Sequence, residues 1–138
     1  MSGPQRVLVV DDQIDIRDMA RLVLTRAGYD VVTAGSGREA LGLARASTFD
    51  LVLLDINMPE LDGWATLRLL RADEALDALP VAMFSVKSEV RDKVAGLKDG
   101  AIDFITKPFG VDELASRVSR ILAAAAGGAS AVPTASPR

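Results

Sequence analysis

The sequence predicts an α/β fold, a doubly wound five-stranded parallel sheet, and three features lead to this prediction. Short apolar runs alternate with segments whose apolar residues recur at helical spacing. The runs lack a polar residue at every second position, which is typical of strands buried on both faces. The alternation repeats five times, so the strands should be parallel, with right-handed crossovers and helices on both faces of the sheet.

The first half of the chain supplies three strands and three helices. Residues 6–10 form the first buried strand, and the helix that follows it ends at Gly28. The apolar residues that define this helix by their spacing are Ile16, Ala20, Val23 and Ala27. The next elements are a strand at 29–34, a helix at 37–46, a strand at 50–54 and a helix at 63–71.

The second half supplies two more strands and two more helices. The fourth strand covers residues 79–84, and Ser88 is a candidate N-cap for a fourth helix that stops near Gly100. The fifth strand covers residues 101–105, and the last helix has the clearest amphipathic pattern of the chain. Its apolar residues are Leu114, Val118, Ile121, Leu122 and Ala125.

The length of 138 residues suits one globular domain with a substantial core. We place this domain at residues 1–122. Residues 123–138 are rich in Ala, Gly, Ser and Pro, and we interpret them as a tail or linker that is disordered. We expect either that the protein acts alone or that these residues belong to a longer chain.

The composition excludes several classes of function. A net charge of −3 with mixed signs gives no basic surface, so we expect no direct binding of nucleic acid. The absence of cysteine and histidine excludes thiolate or imidazole metal sites, the usual serine hydrolase triad and a phosphoryl carrier histidine. No apolar run is long enough for a signal core or a membrane span, so we expect a cytoplasmic protein without a membrane partner.

Polar side chains follow four of the five predicted strands. They are Asp11 and Asp12 after the first, Asp55 after the third, Ser85 after the fourth and Lys107 after the fifth. Carboxyl ends of parallel strands meet at one edge of the sheet, where ligands bind. Three carboxylates without histidine or cysteine favour Mg²⁺, with Mn²⁺ as a substitute.

These groups are suited to phosphoryl transfer. The Asp55 carboxylate can attack phosphorus when a metal ion and the fixed ammonium of Lys107 neutralise charge on the phosphoryl oxygens. The hydroxyl of Ser85 could donate to a phosphoryl oxygen once phosphate is present, which would provide the basis of a switch.

The residues that carry this chemistry also carry a family resemblance. The motifs are Val9-Val10-Asp11-Asp12, Leu53-Leu54-Asp55-Ile56-Asn57-Met58-Pro59, Asp62-Gly63, Phe84-Ser85 and Phe104-Ile105-Thr106-Lys107-Pro108-Phe109. Together they resemble the receiver domain of two-component response regulators over roughly residues 5 to 122. The resemblance implies a chemotaxis-regulator-like, flavodoxin-like (βα)5 fold with strand order 2-1-3-4-5.

The resemblance also implies roles for individual residues. Asp55 would be the phosphoacceptor. Asp12, Asp55 and the backbone carbonyl of Asn57 would hold Mg²⁺, with Asp11 acting through water. Ser85 and Phe104 would form the switch pair.

The partners implied by the resemblance are proteins. The phosphodonor would be a histidine kinase or a histidine phosphotransfer protein, and the domain would hydrolyse its own phosphoryl group slowly. A downstream protein would read the surface made by the predicted fourth helix, the fifth strand and the fifth helix. A phosphorylation-dependent dimer is a further expectation.

The bulk of Val86 and the charge of Lys87 would modify the lifetime of the phosphoryl group.

Three alternatives are less consistent with the sequence. The Gly35-Ser36-Gly37 segment resembles a dinucleotide fingerprint, but it follows the second strand and leaves the acidic residues without a role. A phosphatase of the haloacid dehalogenase type needs an acid two residues after the nucleophile, where this chain has Asn57. A pseudo-receiver that only binds proteins is disfavoured because every site residue is intact.

Overall fold

The computed structural model describes residues 3–86, 100, 101, 103–107 and 109–131, and the side chains of residues 85, 86 and 126–131 lie outside this description. Its five strands are β1 Arg6–Val10, β2 Asp30–Ala34, β3 Leu51–Asp55, β4 Val81–Val86 and β5 Asp103–Lys107. They form one sheet in the order β2-β1-β3-β4-β5, and every neighbouring pair is parallel. The predicted doubly wound sheet is therefore confirmed, including its strand order.

The described helices are α1 Ile14–Arg26, α2 Gly37–Ala46, α3 Gly63–Ala72 and α4 Val111–Ala131. The helix α4 is the fifth helix predicted from the sequence, because the helix predicted after Ser88 lies outside the described residues. Side chains cap α2 and α3, where Ser36 accepts from the Glu39 N–H and Asp62 accepts from the Ala65 N–H. Gly28 follows α1 with a φ of 102°, the left-handed conformation that ends many helices.

Helices cover both faces of the sheet. One buried cluster joins α1 and α4 to the strands through residues such as Leu24 and Leu114, and the other joins α2 and α3 through residues such as Leu41 and Leu67. All five residues of the central strand β3 are buried. A polar residue at the end of β3 is therefore held by packing on both sides.

The strands that carry the site run further than the sequence predicted. The predicted limits of 50–54, 79–84 and 101–105 each fall short of the carboxyl end seen in the structure. Polar residues predict strand ends that are too early, because the parallel ladder continues through them and pairs Asp55 with Phe84 and Val86 with Lys107. Asp55 and Lys107 are thus the last residues of their strands, with main chains fixed by the sheet.

The helix α4 also runs further than expected, because it continues through Ala131 into the segment interpreted as a disordered tail. The alanines that gave this segment its low complexity are also the strongest helix formers. The division into a domain at 1–122 and a tail at 123–138 stays a prediction. Neither α4 nor any other helix of the described residues is long and apolar enough to cross a membrane.

Candidate functional site

Three carboxylates meet at the carboxyl edge of the sheet. Asp55 ends β3, and Asp11 and Asp12 directly follow β1. One oxygen from each carboxylate lies within 4.8 Å of the other two. Asp11 and Asp55 are buried, whereas Asp12 is exposed to solvent. The sheet therefore holds two of the acids, and the third closes the group on its open side.

The ammonium of Lys107 joins this group from β5. Its Nζ donates to Asp11 Oδ2 at 2.8 Å and to Asp55 Oδ1 at 2.9 Å. The same Nζ lies 5.6 Å from the centre of the Phe84 ring, on which the ring of Phe109 is stacked. The ring face of Phe84 is a favourable neighbour for the cation.

The charges perturb one another. Burial raises the pKa of Asp55 from 3.8 to about 6, with the repulsion of Asp11 and Asp12 adding to the effect and Lys107 opposing it. Burial alone would lower the pKa of Lys107, but its bonds to Asp11 and Asp55 outweigh burial and raise the pKa. The ammonium is therefore held charged, and ionisation of Asp55 is disfavoured in the absence of a metal ion.

The loop after Asp55 is drawn tightly against the site by Gly63. The Gly63 N–H donates to Ile56 O at 2.8 Å, and a Cβ at this position would overlap the main-chain oxygen of Asp55. Only glycine lets α3 begin this close to the end of β3. Asn57 lies at the exposed surface of the same loop, two residues after the central carboxylate.

The predicted switch residues lie on the neighbouring strands. Ser85 follows the residue that pairs with Asp55 and is itself paired with Thr106, and its side chain lies outside the description. The ring of Phe104 is buried and its centroid lies 6.3 Å from that of Trp64, at the start of α3. The side chain of Val86 and the whole of Lys87 are likewise outside the described residues.

The structure brings together Asp11, Asp12, Asp55 and Lys107, as the sequence predicted. Sequence reasoning missed Arg17, whose Nη1 donates to the main-chain oxygen of Asp11 at 2.8 Å. An arginine among the polar residues of an amphipathic helix gives no signal of such a contact.

Three cavities lined by described residues lie away from this site. A cavity of about 710 Å³ lies at the opposite end of the sheet, with Arg71, Pro80, Asp103 and Ile121 among its lining residues. These three cavities are not lined by Asp11, Asp12, Asp55 or Lys107.

Comparison with known proteins agrees with this geometry. The family model described as "Response regulator receiver domain" matches residues 7–119. The chain belongs to this family. It is therefore a receiver domain of a two-component response regulator.

The receiver domain resembles several known regulators in sequence. It is 42% identical over 118 residues to the alkaline phosphatase synthesis transcriptional regulatory protein PhoP of Bacillus subtilis, covering 86% of this chain and 48% of that protein. It is 44% identical over 117 residues to the transcriptional regulatory protein PrrA of Mycobacterium bovis, covering 85% of this chain and 49% of that protein. The chain thus spans about half the length of the curated relatives it matches.

Solved structures share the fold of the receiver domain. The chemotaxis protein CheY4 of Vibrio cholerae superposes with a TM-score of 0.82 at 34% identity, covering 86% of this chain and 99% of that one. NtrX of Brucella abortus superposes with a TM-score of 0.86 at 33% identity, covering 92% of this chain and 28% of that one. The same domain thus matches both a chain of its own size and part of a much larger one.

Proposed function

We propose that this receiver accepts a phosphoryl group on Asp55 in a step that depends on Mg²⁺. The supporting observation is the contact of Lys107 Nζ with both Asp11 and Asp55, with the carboxylate of Asp12 beside them. The carboxylates of Asp11 and Asp12 and the ammonium of Lys107 thus lie beside the buried carboxylate of Asp55. A purely structural ion pair would not need the third, exposed acid.

The donor set fits Mg²⁺. Three carboxylate oxygens lie within 4.8 Å of one another, and no histidine or cysteine is available in the chain. Hard oxygen ligands of this kind suit Mg²⁺, which keeps several waters and accepts phosphate oxygens. We assign the ligand positions to Asp12, Asp55 and the Asn57 carbonyl, with Asp11 acting through water. The ion would neutralise charge on the phosphoryl oxygens during transfer.

The chemistry follows from these positions. An oxygen of the Asp55 carboxylate forms a bond to phosphorus while the bond from phosphorus to the donor imidazole nitrogen breaks, and the imidazole leaves. Lys107 moves its hydrogen bond from the carboxylate to a phosphoryl oxygen and offsets its charge. In slow dephosphorylation water attacks the same phosphorus, which restores the carboxylate and releases phosphate.

Partners follow from the chemistry of the donor. These 138 residues contain no histidine, so a phosphohistidine donor lies outside this sequence, and we infer that a histidine kinase or a histidine phosphotransfer protein supplies it. Phosphorylation would draw the Ser85 hydroxyl toward the phosphoryl group and bias the position of the Phe104 ring. The surface near β5 and α4 would then change for a downstream protein or for a second copy of the domain.

The phosphatase alternative has less support. Such an enzyme needs a general acid two residues after the nucleophile, and Asn57 cannot serve.

Intact-mass measurement with acetyl phosphate as the donor tests the proposal. We expect one added phosphoryl group with Mg²⁺, none with EDTA and none in Asp55→Asn. The fluorescence of Trp64, the single tryptophan of the chain, should change in parallel because its ring contacts Phe104. A wild type that gains no phosphoryl group would favour a pseudo-receiver that only binds proteins.

A further inference from the structure

The glycine-rich turn after β2 has no place in the proposed chemistry, yet side chains from other segments lie close to both of its glycines. A Cβ at Gly37 would overlap Thr66 Oγ1, and a Cβ at Gly35 would lie 2.8 Å from Arg17 Nη1. The glycines therefore make room for side chains from other segments. The turn that resembles a dinucleotide fingerprint therefore serves packing, and Gly35 leaves space for the guanidinium of Arg17.

That guanidinium is bonded to the main chain at the acidic site. Arg17 lies on α1, is half-buried, and donates from Nη1 to Asp11 O at 2.8 Å. The same Nη1 is the atom that Gly35 leaves room for. Arg17 thus lies beside the turn after β2, and its hydrogen bond holds the peptide group that joins Asp11 to Asp12.

The two acids on either side of this peptide bond are held very differently. The side chain of Asp11 accepts from the Gln13 N–H at 3.0 Å and from Lys107 at 2.8 Å. Within the described part of the chain, no residue donates a hydrogen bond to the carboxylate of Asp12. The direction of Asp12 therefore depends on its main chain, which Arg17 restrains.

We propose that Arg17 is a positioning residue for the metal site, one that acts by keeping the Asp12 carboxylate turned toward Asp55. This inference rests on the proposed function, because it gives Asp12 a metal to bind. Gly35 contributes to the same positioning, since a larger residue there would push the Arg17 guanidinium away from Asp11 O. Residues that orient metal ligands from behind typically change metal affinity by tenfold or more.

Two substitutions disturb the same contact from opposite sides. Arg17→Gln removes the guanidinium, and Gly35→Ala keeps its charge but displaces it. The φ of Gly35 is not in the left-handed region, so alanine is compatible with the backbone. We expect each to weaken Mg²⁺ binding by about tenfold. Arg17→Lys, which keeps a donor and a charge, should lose less.

Calorimetric titration of the unphosphorylated full chain with Mg²⁺ measures these affinities. Because the two changes act on one contact, the double variant should bind Mg²⁺ no more weakly than Arg17→Gln alone. Arg21→Gln, on the exposed side of α1, and Gly42→Ala, where an added Cβ meets nothing within 4 Å, are matched controls and should bind like the wild type. The rate of phosphorylation by acetyl phosphate at saturating Mg²⁺ should stay within about twofold of the wild type, since the reacting groups are untouched.

The possible failures can be separated. Wild-type affinity in Arg17→Gln, additive losses in the double variant, or a rate that stays low at saturating Mg²⁺ would each overturn the positioning role while leaving the phosphoacceptor role of Asp55 intact. A wild type that neither binds Mg²⁺ nor becomes phosphorylated would overturn both. Urea unfolding in EDTA provides a further check, because a loss of affinity that only follows a loss of stability would contradict the positioning role.

Discussion

Replacing Asp55 with asparagine should stabilise the metal-free protein, and the gain should depend on pH. The pKa of Asp55 is raised from 3.8 to about 6 in the folded state, chiefly because the carboxylate is buried. At neutral pH the carboxylate of Asp55 is therefore ionised in both states, and its ionisation costs more free energy in the folded protein than in the unfolded chain. A shift of about two pKa units corresponds to about 3 kcal/mol of lost stability.

The sign of the effect follows from proton linkage. The pKa of Asp55 is higher in the folded state than in the unfolded state. The stability linked to its protonation is therefore fully present below about pH 4 and is lost as the pH rises through about 6. Asparagine keeps the shape and an acceptor oxygen for Lys107 but cannot ionise. Asp55→Asn should therefore gain about 1–3 kcal/mol at pH 7.5 and less than about 1 kcal/mol near pH 4.

Urea unfolding in EDTA at the two pH values measures this difference. Asp18→Asn is a suitable control, because this aspartate is exposed and its Oδ1 lies as far as 3.9 Å from Arg21 Nη2. Such an exposed ion pair contributes less than about 0.5 kcal/mol to stability. Adding Mg²⁺ should stabilise the wild type and leave Asp55→Asn unchanged. An equal gain at both pH values, or a loss at pH 7.5, would refute the reasoning.

Three further predictions concern the same site. Lys107→Met leaves the buried carboxylates of Asp11 and Asp55 without their shared cation, so urea unfolding at pH 7.5 should show a loss of about 3–5 kcal/mol. Part of that loss should disappear near pH 5, where Asp55 is protonated, and a constant loss would contradict the electrostatic account. Calorimetry should show Mg²⁺ affinity falling by about tenfold per pH unit below about 6, because protonated Asp55 must lose its proton to bind the ion; affinity that is flat down to pH 5 would exclude Asp55 as a ligand. Gly63→Ala should lose about 2 kcal/mol or more because its Cβ would overlap the Asp55 main chain, whereas Gly42→Ala, with open space around it in α2, should gain about 0.5–1 kcal/mol. Equal effects of the two glycine substitutions on stability would contradict the argument that Gly63 is needed for the close approach of α3 to the Asp55 main chain.

The fold could be predicted because its signals are local and repeated. A buried parallel strand such as β3 contains no polar residue until its last position, and each helix has a clear periodicity or stop signal. The ends of parallel strands must share one edge, so Asp11, Asp55 and Lys107 had to lie near one another once the order of the strands was known. The order itself came from family resemblance, since periodicity does not specify which strands are neighbours.

The details that escaped prediction depend on contacts between distant segments. The bond from Arg17 to Asp11 O and the ring of Phe84 beneath Lys107 leave no trace in local spacing. The strand limits were predicted too early because a polar side chain at the sheet edge does not interrupt the backbone ladder. The helix α4 was predicted too short because a run of alanines was interpreted by its low complexity and not by its helix propensity.

The location of the phosphoryl group tests the central claim most directly. After reaction with acetyl phosphate and Mg²⁺, borohydride reduction converts an aspartyl phosphate to homoserine, and peptide mass spectrometry identifies the position. We predict homoserine at residue 55 alone. Homoserine at Asp11 or Asp12 instead, or no homoserine in a protein that binds Mg²⁺, would contradict the assignment of Asp55 as the phosphoacceptor.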